Sequence, residues 1–379
     1  MNPQRLAVST AFFCQGFAFA ALITRIPAIQ DQFGFSEGGL AMILAAVPIV
    51  AGVGSVLAGL LAVRFHSAVV LRVCALIVAG GLVAVGAATT SGSFPGLLVA
   101  LALMGFGLGS VDATMNMQGI GVQALVGRSV MASFHAWWSL ATILGAVAAS
   151  VAAATTLSLL GFFATVAVVL VPVGLIASMR FVRSHEADEA APDPLAASAA
   201  VPWRPLLVFG FAVVLAFIID SSVSNWSALD LTDVLGATES VAALAYAAYA
   251  LFMLIGRTFA DRLVGRRGVQ WLITAGGVLA AAGLIVVALA PSAIVAIAGF
   301  AIIGLGISPV LPMAFVAASH HDPGHTGIAV ARVNVGNYIG FVIGAPLVGL
   351  IGEFSSLRVG FAVLVVAAVG IAVTARSFD

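Results

Sequence analysis

The stretch LALMGFGLGSVDATMN, residues 101–116, lies inside an apolar run from 95 to 120 that is long enough to cross a bilayer as one helix. Its glycines Gly107 and Gly109 recur as Gly304 and Gly306, an offset of 197 residues. Gly59 recurs as Gly256 at the same offset, and Gly145 as Gly344 at 199. A near-constant offset across three separate helices marks an internal repeat.

Apolar runs of similar length surround this one. Six fall near 6–28, 38–62, 69–89, 95–120, 131–153 and 156–179, and six more near 205–229, 240–260, 269–290, 293–318, 327–351 and 356–375. The expectation is an all-α membrane protein of 12 transmembrane helices in two parallel six-helix repeats. Residues 1–180 form the first half, 181–204 a cytoplasmic linker and 205–379 the second half. Composition agrees: 62% of residues are hydrophobic and 8% charged, where soluble chains carry about a quarter charged. The mean hydropathy is +1.19. Between the halves, Glu186, Asp188, Glu189, Asp193 and several prolines read as a solvated, poorly structured connection.

With the N-terminus inside, Arg5, Arg64, Arg72, Arg128, Arg180, Arg183, Arg204, Arg262, Arg266, Arg267 and Arg376 fall on the cytoplasmic side, against Arg25 and Arg358 outside. That asymmetry sets both termini in the cytoplasm. All 15 basic residues are Arg, a usage that points to a GC-rich bacterial genome and so to a bacterial inner membrane. Cys14 and Cys74 both lie in apolar runs, so neither a disulfide framework nor a cysteine metal site is indicated. His320, His321, Asp322 and His325 satisfy no metal-ligand template and read as a solvated loop. No nucleophile elbow, paired catalytic carboxylates or phosphate-cradling loop occurs, which argues against an enzyme and against any cofactor or nucleic-acid partner.

Parallel six-helix repeats of this kind resemble the major facilitator superfamily, whose solute sites lie near mid-membrane. The segment Gly256-Arg-Thr-Phe-Ala-Asp261-Arg262-Leu-Val-Gly265-Arg266-Arg267, read as the loop after helix eight, is similar to that family's cytoplasmic charge-pair motif. The resemblance implies a cytoplasmic gate in which Asp261 caps or pairs with a neighbouring helix end and Arg262 helps hold the inner face closed. In the first-half copy, Gly59-Leu-Leu-Ala-Val-Arg64-Phe-His66, the acid is lost and Arg64 alone remains. Plain positive-inside anchoring by Arg64, Arg266 and Arg267 is the competing reading.

An acid at the centre of a spanning helix costs roughly 2.5–3.5 kcal/mol, so Asp112 and Asp220 call for a function. Gly105, Gly109, Asp112 and Asn116 share one helix face, and a carboxyl in low dielectric can take up a proton on one side and release it on the other. Gly107, Gly109, Asp112 and Asn116 also resemble the fourth helix of the fucose permease branch, whose acid there serves sugar and proton. That branch carries a second acid in helix one, a place taken here by Ile23 or a near neighbour, with Gln15 as that helix's main mid-membrane polar group. Asp220, Asn225, Trp226 and Ser227 resemble helix seven of a poorly characterised bacterial subgroup close to that branch.

Further candidate solute contacts are His135 and Trp138 on one face of helix five, and Asn334, Asn337 and Tyr338 on helix eleven, where rings and amides suit a sugar-like or heterocyclic solute. The competing reading has these groups bonding across helix interfaces, with His135 wet near the cytoplasmic end, and Arg332 snorkelling or paired with an acid. The expectation is a monomeric secondary transporter of a small polar metabolite, coupled to protons through Asp112 and Asp220. An exporter of drugs or amphipathic metabolites, and a transport-dead membrane ligand sensor, are the alternatives.

Overall fold

A computed structural model describes residues 2–182 and 193–378. Among these residues, 12 helices are long and apolar enough to cross a membrane. An all-helical solution follows from the solvent: hydrocarbon offers no hydrogen bonds, so each backbone N–H and C=O must be satisfied within its own segment.

In the first half the helices are α1 (Pro3–Ile23), α2 (Ile26–Phe33), α3 (Glu37–Phe65), α4 (Ser67–Thr90), α5 (Phe94–Val126), α6 (Met131–Ala153) and α7 (Leu159–Ser178). A short helix α8 (Pro194–Ala200) precedes α9 (Trp203–Leu229), α10 (Glu239–Arg267), α11 (Val269–Ala288), α12 (Ala293–Ile307), α13 (Val310–Ser319), α14 (Ile328–Phe354) and α15 (Leu357–Thr374). The first span bends at Thr24–Arg25, and α2 then carries it to Phe33, past the expected end at 28. Helix α9 ends in a π-helical turn, Asp230–Val234. The charged motif after Gly256 is not a loop: α10 runs on through Arg267 and turns only at Gly268, whose φ is 83°. Arginines in the last turn of that helix complement its dipole, which lets charge continue a helix beyond its apolar run.

Contacts within the chain carry the internal repeat. In the first half α5 packs on both α3 and α4, and α7 on α4 and α1; in the second, α12 packs on α10 and α11, and α15 on α11 and α9. Packing partners shift the register that the sequence offset assigned. A Cβ on Gly105 or Gly109 would collide with the Val47 or Ala51 carbonyl of α3, and one on Gly304 with the Tyr249 carbonyl of α10, the equivalent neighbour. Gly107 faces Val78 of α4, and Gly306 faces Ala280 of α11. By packing partner and in chain order, Gly105 therefore matches Gly304 and Gly107 matches Gly306, a common offset of 199 residues. Glycines two residues apart open opposite sides of a helix, so a run of three can align with a pair in more than one register.

By contact density the chain separates into two compact units: Met1–Gly127 with Trp137–Val201 and Asp322–Arg332, and Arg128–Ala136 with Pro202–His321 and Val333–Asp379. Glu186, Asp188 and Glu189 lie outside the described residues. Residues 193–200 of the expected unstructured connection are ordered: Asp193 accepts a hydrogen bond from Leu195 N at 3.1 Å and starts α8. Arg332 neither snorkels nor rests on an acid alone. It donates to the Val201 carbonyl (2.6 Å), the Ser198 carbonyl (2.7 Å) and Ser198 Oγ (2.9 Å), closing the C-terminal end of α8.

Overpacking at a site such as Gly109 costs about 1–3 kcal/mol. Gly109→Val is expected to lower the unfolding temperature of the detergent-solubilised protein. Gly80→Val, where an added Cβ meets nothing within 4 Å, leaves it unchanged in the same scan.

Candidate transport site

Two polar constellations lie at membrane depth, one in each compact unit. In the first, Gln15 of α1 donates through Nε2 to Asp112 Oδ1 of α5 at 2.9 Å, and Trp138 of α6 donates through Nε1 to Gln15 Oε1. Gly16 makes this possible: a Cβ there would sit 2.6 Å from the Trp138 carbonyl, so only glycine lets α1 approach α6 closely enough for Gln15 to bridge. Phe19 packs against the Trp138 ring at 5.9 Å between centroids. Asn116 is buried and turns back along its helix, donating through Nδ2 to the Asp112 carbonyl at 2.8 Å.

The second constellation centres on Asp220 of α9. Tyr249 of α10 donates its hydroxyl to Asp220 Oδ1, and Tyr246 stacks beside Tyr249 with centroids 5.8 Å apart. Two helical turns along α10, Arg257 lies within electrostatic reach of Asp220, Tyr249 and His135. It is 6% exposed. His135 is buried, not wet, and its ring stacks on Phe315 with centroids 6.1 Å apart. The corrections here have one cause: spacing along a helix says which residues share a face, not which neighbouring helix covers that face.

Sequence reasoning missed Tyr249 and gave Arg257 no role of its own. One signal was available, because an arginine one position past a membrane-depth glycine needs an acid partner, and Asp220 stood on the preceding span.

The remaining expected solute contacts divide. Asn337 donates through Nδ2 to Asn334 Oδ1 at 2.7 Å, and Asn334 Nδ2 reaches Tyr338 Oη at 3.5 Å, so these three form one amide and phenol cluster on α14. Asn337 Oδ1 is buried and has no hydrogen-bond partner among the described residues, which leaves that acceptor for another donor. Asn225 bonds its own helix at the Ser221 carbonyl (2.7 Å). Trp226 is an interhelical staple: its Nε1 donates to the Ala345 carbonyl at 2.8 Å and its ring lies on Gly349, where a Cβ would be 2.6 Å away.

At the cytoplasmic end, Asp261 accepts from Ser129 Oγ (2.7 Å), Ala132 N (3.2 Å) and Ser133 N (2.8 Å), which makes it an N-terminal cap for α6 supplied by another helix. Arg262 is exposed and lies over the ring of Phe259, 5.7 Å from its centroid. Arg64, at the repeat position of Asp261, is also exposed. Asp322, expected to be solvated, is buried and accepts from Thr326 N (3.1 Å), Thr326 Oγ1 (3.0 Å) and Ala329 N (3.4 Å) at the start of α14.

Comparison with known proteins agrees with this architecture. Residues 209–378 match the model of the Major Facilitator Superfamily. Over 378 residues the chain is 28% identical to an uncharacterised MFS-type transporter of Yersinia pestis, covering 99% of this chain and 95% of the relative. Over 372 residues it is 29% identical to the membrane protein MosC of Rhizobium meliloti, covering 98% and 88%. Among solved structures it is similar to the superfamily transporter FucP in its outward conformation, with a TM-score of 0.79 at 15% identity over 99% of this chain and 98% of that one. A further structure of FucP, described as the E. coli fucose:proton symporter, gives 0.74 at 16% over the same shares. The fold is that of a multi-pass membrane protein, and the chain is similar along nearly its whole length to membrane transporters of the Major Facilitator Superfamily type.

Trp226→Phe is expected to lower the unfolding temperature through loss of the Ala345 bond while leaving solute affinity unchanged. Asp261→Ala, removing a cap worth roughly 0.5–2 kcal/mol, should speed labelling of cysteines placed at the cytoplasmic face. Unchanged labelling would mean that the motif only anchors the helix end.

Proposed function

We propose that this protein is a proton-coupled secondary transporter of a small polar solute in a bacterial inner membrane, working as a monomer, with Asp220 as the principal proton carrier. The observation that carries the reading is the Asp220–Tyr249–Arg257 arrangement on α9 and α10. A buried carboxylate beside a buried guanidinium is stable only as a pair; protonating Asp220 dissolves the pair and frees Arg257 for another anion or acceptor. That change in partner is what lets proton uptake alter the balance between conformations.

Asp112 plays the second part. The fucose permease branch sets its helix-four acid against an acid in helix one; here Gln15 holds that place in chemistry, donating to Asp112. An amide cannot exchange protons with a carboxyl at neutral pH, so Asp112 works as a hydrogen-bond acceptor and secondary proton site. Asn334, Asn337 and Tyr338 offer donors and acceptors for a hydroxylated solute, and Trp138 offers an aromatic face. The fucose named for the similar fold is a candidate, as is any small molecule with a polar rim and a ring. The Asp261 cap on α6 serves as the cytoplasmic gate.

Two measurements test this. In proteoliposomes with an imposed proton gradient, Asp220→Asn abolishes accumulation while solute exchange continues, because exchange needs no net proton movement; wild-type accumulation in that variant would remove Asp220 from the coupling path. The solute for the assay comes from a thermal-shift screen, since a ligand of the folded state raises stability by RT ln(1 + [L]/Kd). Hits among amphipathic drugs alone would favour an exporter. Binding without transport would favour a sensor.

The pair also predicts a stability pattern. Arg257→Gln strands a buried carboxylate and should cost about 3–5 kcal/mol, and adding Asp220→Asn should restore most of the loss of unfolding temperature.

A further inference from the structure

The first compact unit contains a cleft of about 70 Å³ bounded by α1, α4 and α7, with Val111 of α5 at its back. Its walls are hollowed by small side chains such as Ala11, Cys14 and Ala79. Gly174 also lines it, and a Cβ added there would meet nothing within 4 Å. The cleft runs along α4 from Leu71 to Leu82, a rise of about 16 Å. That is the depth of one leaflet, half of a hydrocarbon core about 30 Å thick.

One end carries a charge. Arg72 donates through Nε to Ser178 Oγ (2.9 Å) and through Nη2 to the Ser178 carbonyl (2.6 Å), which closes the C-terminal end of α7. A guanidinium has five N–H donors, and Nη1 has no partner among the described residues. By the arginine distribution along the chain, this is the cytoplasmic end. Deeper in, the floor includes Gln15, the residue that holds Asp112.

We propose that this cleft is a binding site for an anionic phospholipid of the cytoplasmic leaflet, with one acyl chain lying along α4 and the phosphate on Arg72. An apolar cleft of this length between spanning helices is covered by lipid, because water has few polar partners there and a bare wall forfeits dispersion contacts. The free face of Arg72 selects the head group: anionic lipids are enriched in that leaflet, and a basic residue near the surface is worth about 1 kcal/mol toward them. The site stands independently of which solute is carried or which ion drives it.

The test is native mass spectrometry of the full-length protein in detergent, titrated separately with phosphatidylglycerol, phosphatidylcholine and glycerol 3-phosphate. Phosphatidylglycerol is expected to bind about fivefold more tightly than phosphatidylcholine, the ratio that about 1 kcal/mol gives. Arg72→Gln should erase that preference and Arg72→Lys should keep it. Ala79→Phe, which fills the cleft and leaves Arg72 in place, should remove lipid binding. Because Arg72→Gln also loses the α7 cap, a second readout uses the native arginine: in a Cys74→Ala background, phosphatidylglycerol should slow labelling of Cys14 by an apolar maleimide, and glycerol 3-phosphate should not. Equal binding of the two lipids, equal binding of free glycerol 3-phosphate, or Cys14 labelling indifferent to lipid would each overturn the proposal.

Discussion

Hydrocarbon supplies no hydrogen bonds, and every feature of this chain answers that constraint. It forces the backbone into helices, restricts charge to helix ends and protected clusters, and makes each polar side chain at membrane depth bind something specific. Gln15 bridges Asp112 and Trp138, Tyr249 bonds Asp220, and Asn337 bonds Asn334. The amides of Asn116 and Asn225 bond a carbonyl one turn back along their own helices.

The same constraint shapes helix ends. Three of them are closed by side chains brought from elsewhere in the chain: α6 by Asp261, α7 by Arg72 and α8 by Arg332. The signs follow the helix dipole, an acid at an N-terminal end and arginines at C-terminal ends. The two halves solve one of these problems differently. Where the second half has Asp261, the first has Arg64, and the α14 start is capped by Asp322 from its own loop. A repeat can thus keep its packing while its gates diverge in chemistry, because a cap needs only an acceptor in the right place and not one from a particular helix.

The proposed coupling chemistry grows out of the protected clusters. Asp112 accepts from the Gln15 amide, whereas Asp220 sits in the field of Arg257. Protonation of Asp220 would dissolve its interaction with a buried cation. That contrast, more than the presence of two acids, is why Asp220 is assigned the larger role.

Much of this was legible in the sequence. Twelve apolar runs and the recurrent glycines marked the spans and the repeat, and the arginine asymmetry an expected orientation, since each depends on the local match between a helix and a bilayer. Asp112, Asp220 and Gln15 stood out for the same reason: a polar group in an apolar run is visible without knowing its neighbours. Partnership was not visible. That Gln15 reaches Asp112, that Arg257 lies in electrostatic reach of Asp220, that Trp226 staples α9 to Ala345 and that Gly105 matches Gly304 were decided only by tertiary structure. Helical period places a residue on a face, but which helix meets that face is settled by the packing of elements far apart in sequence.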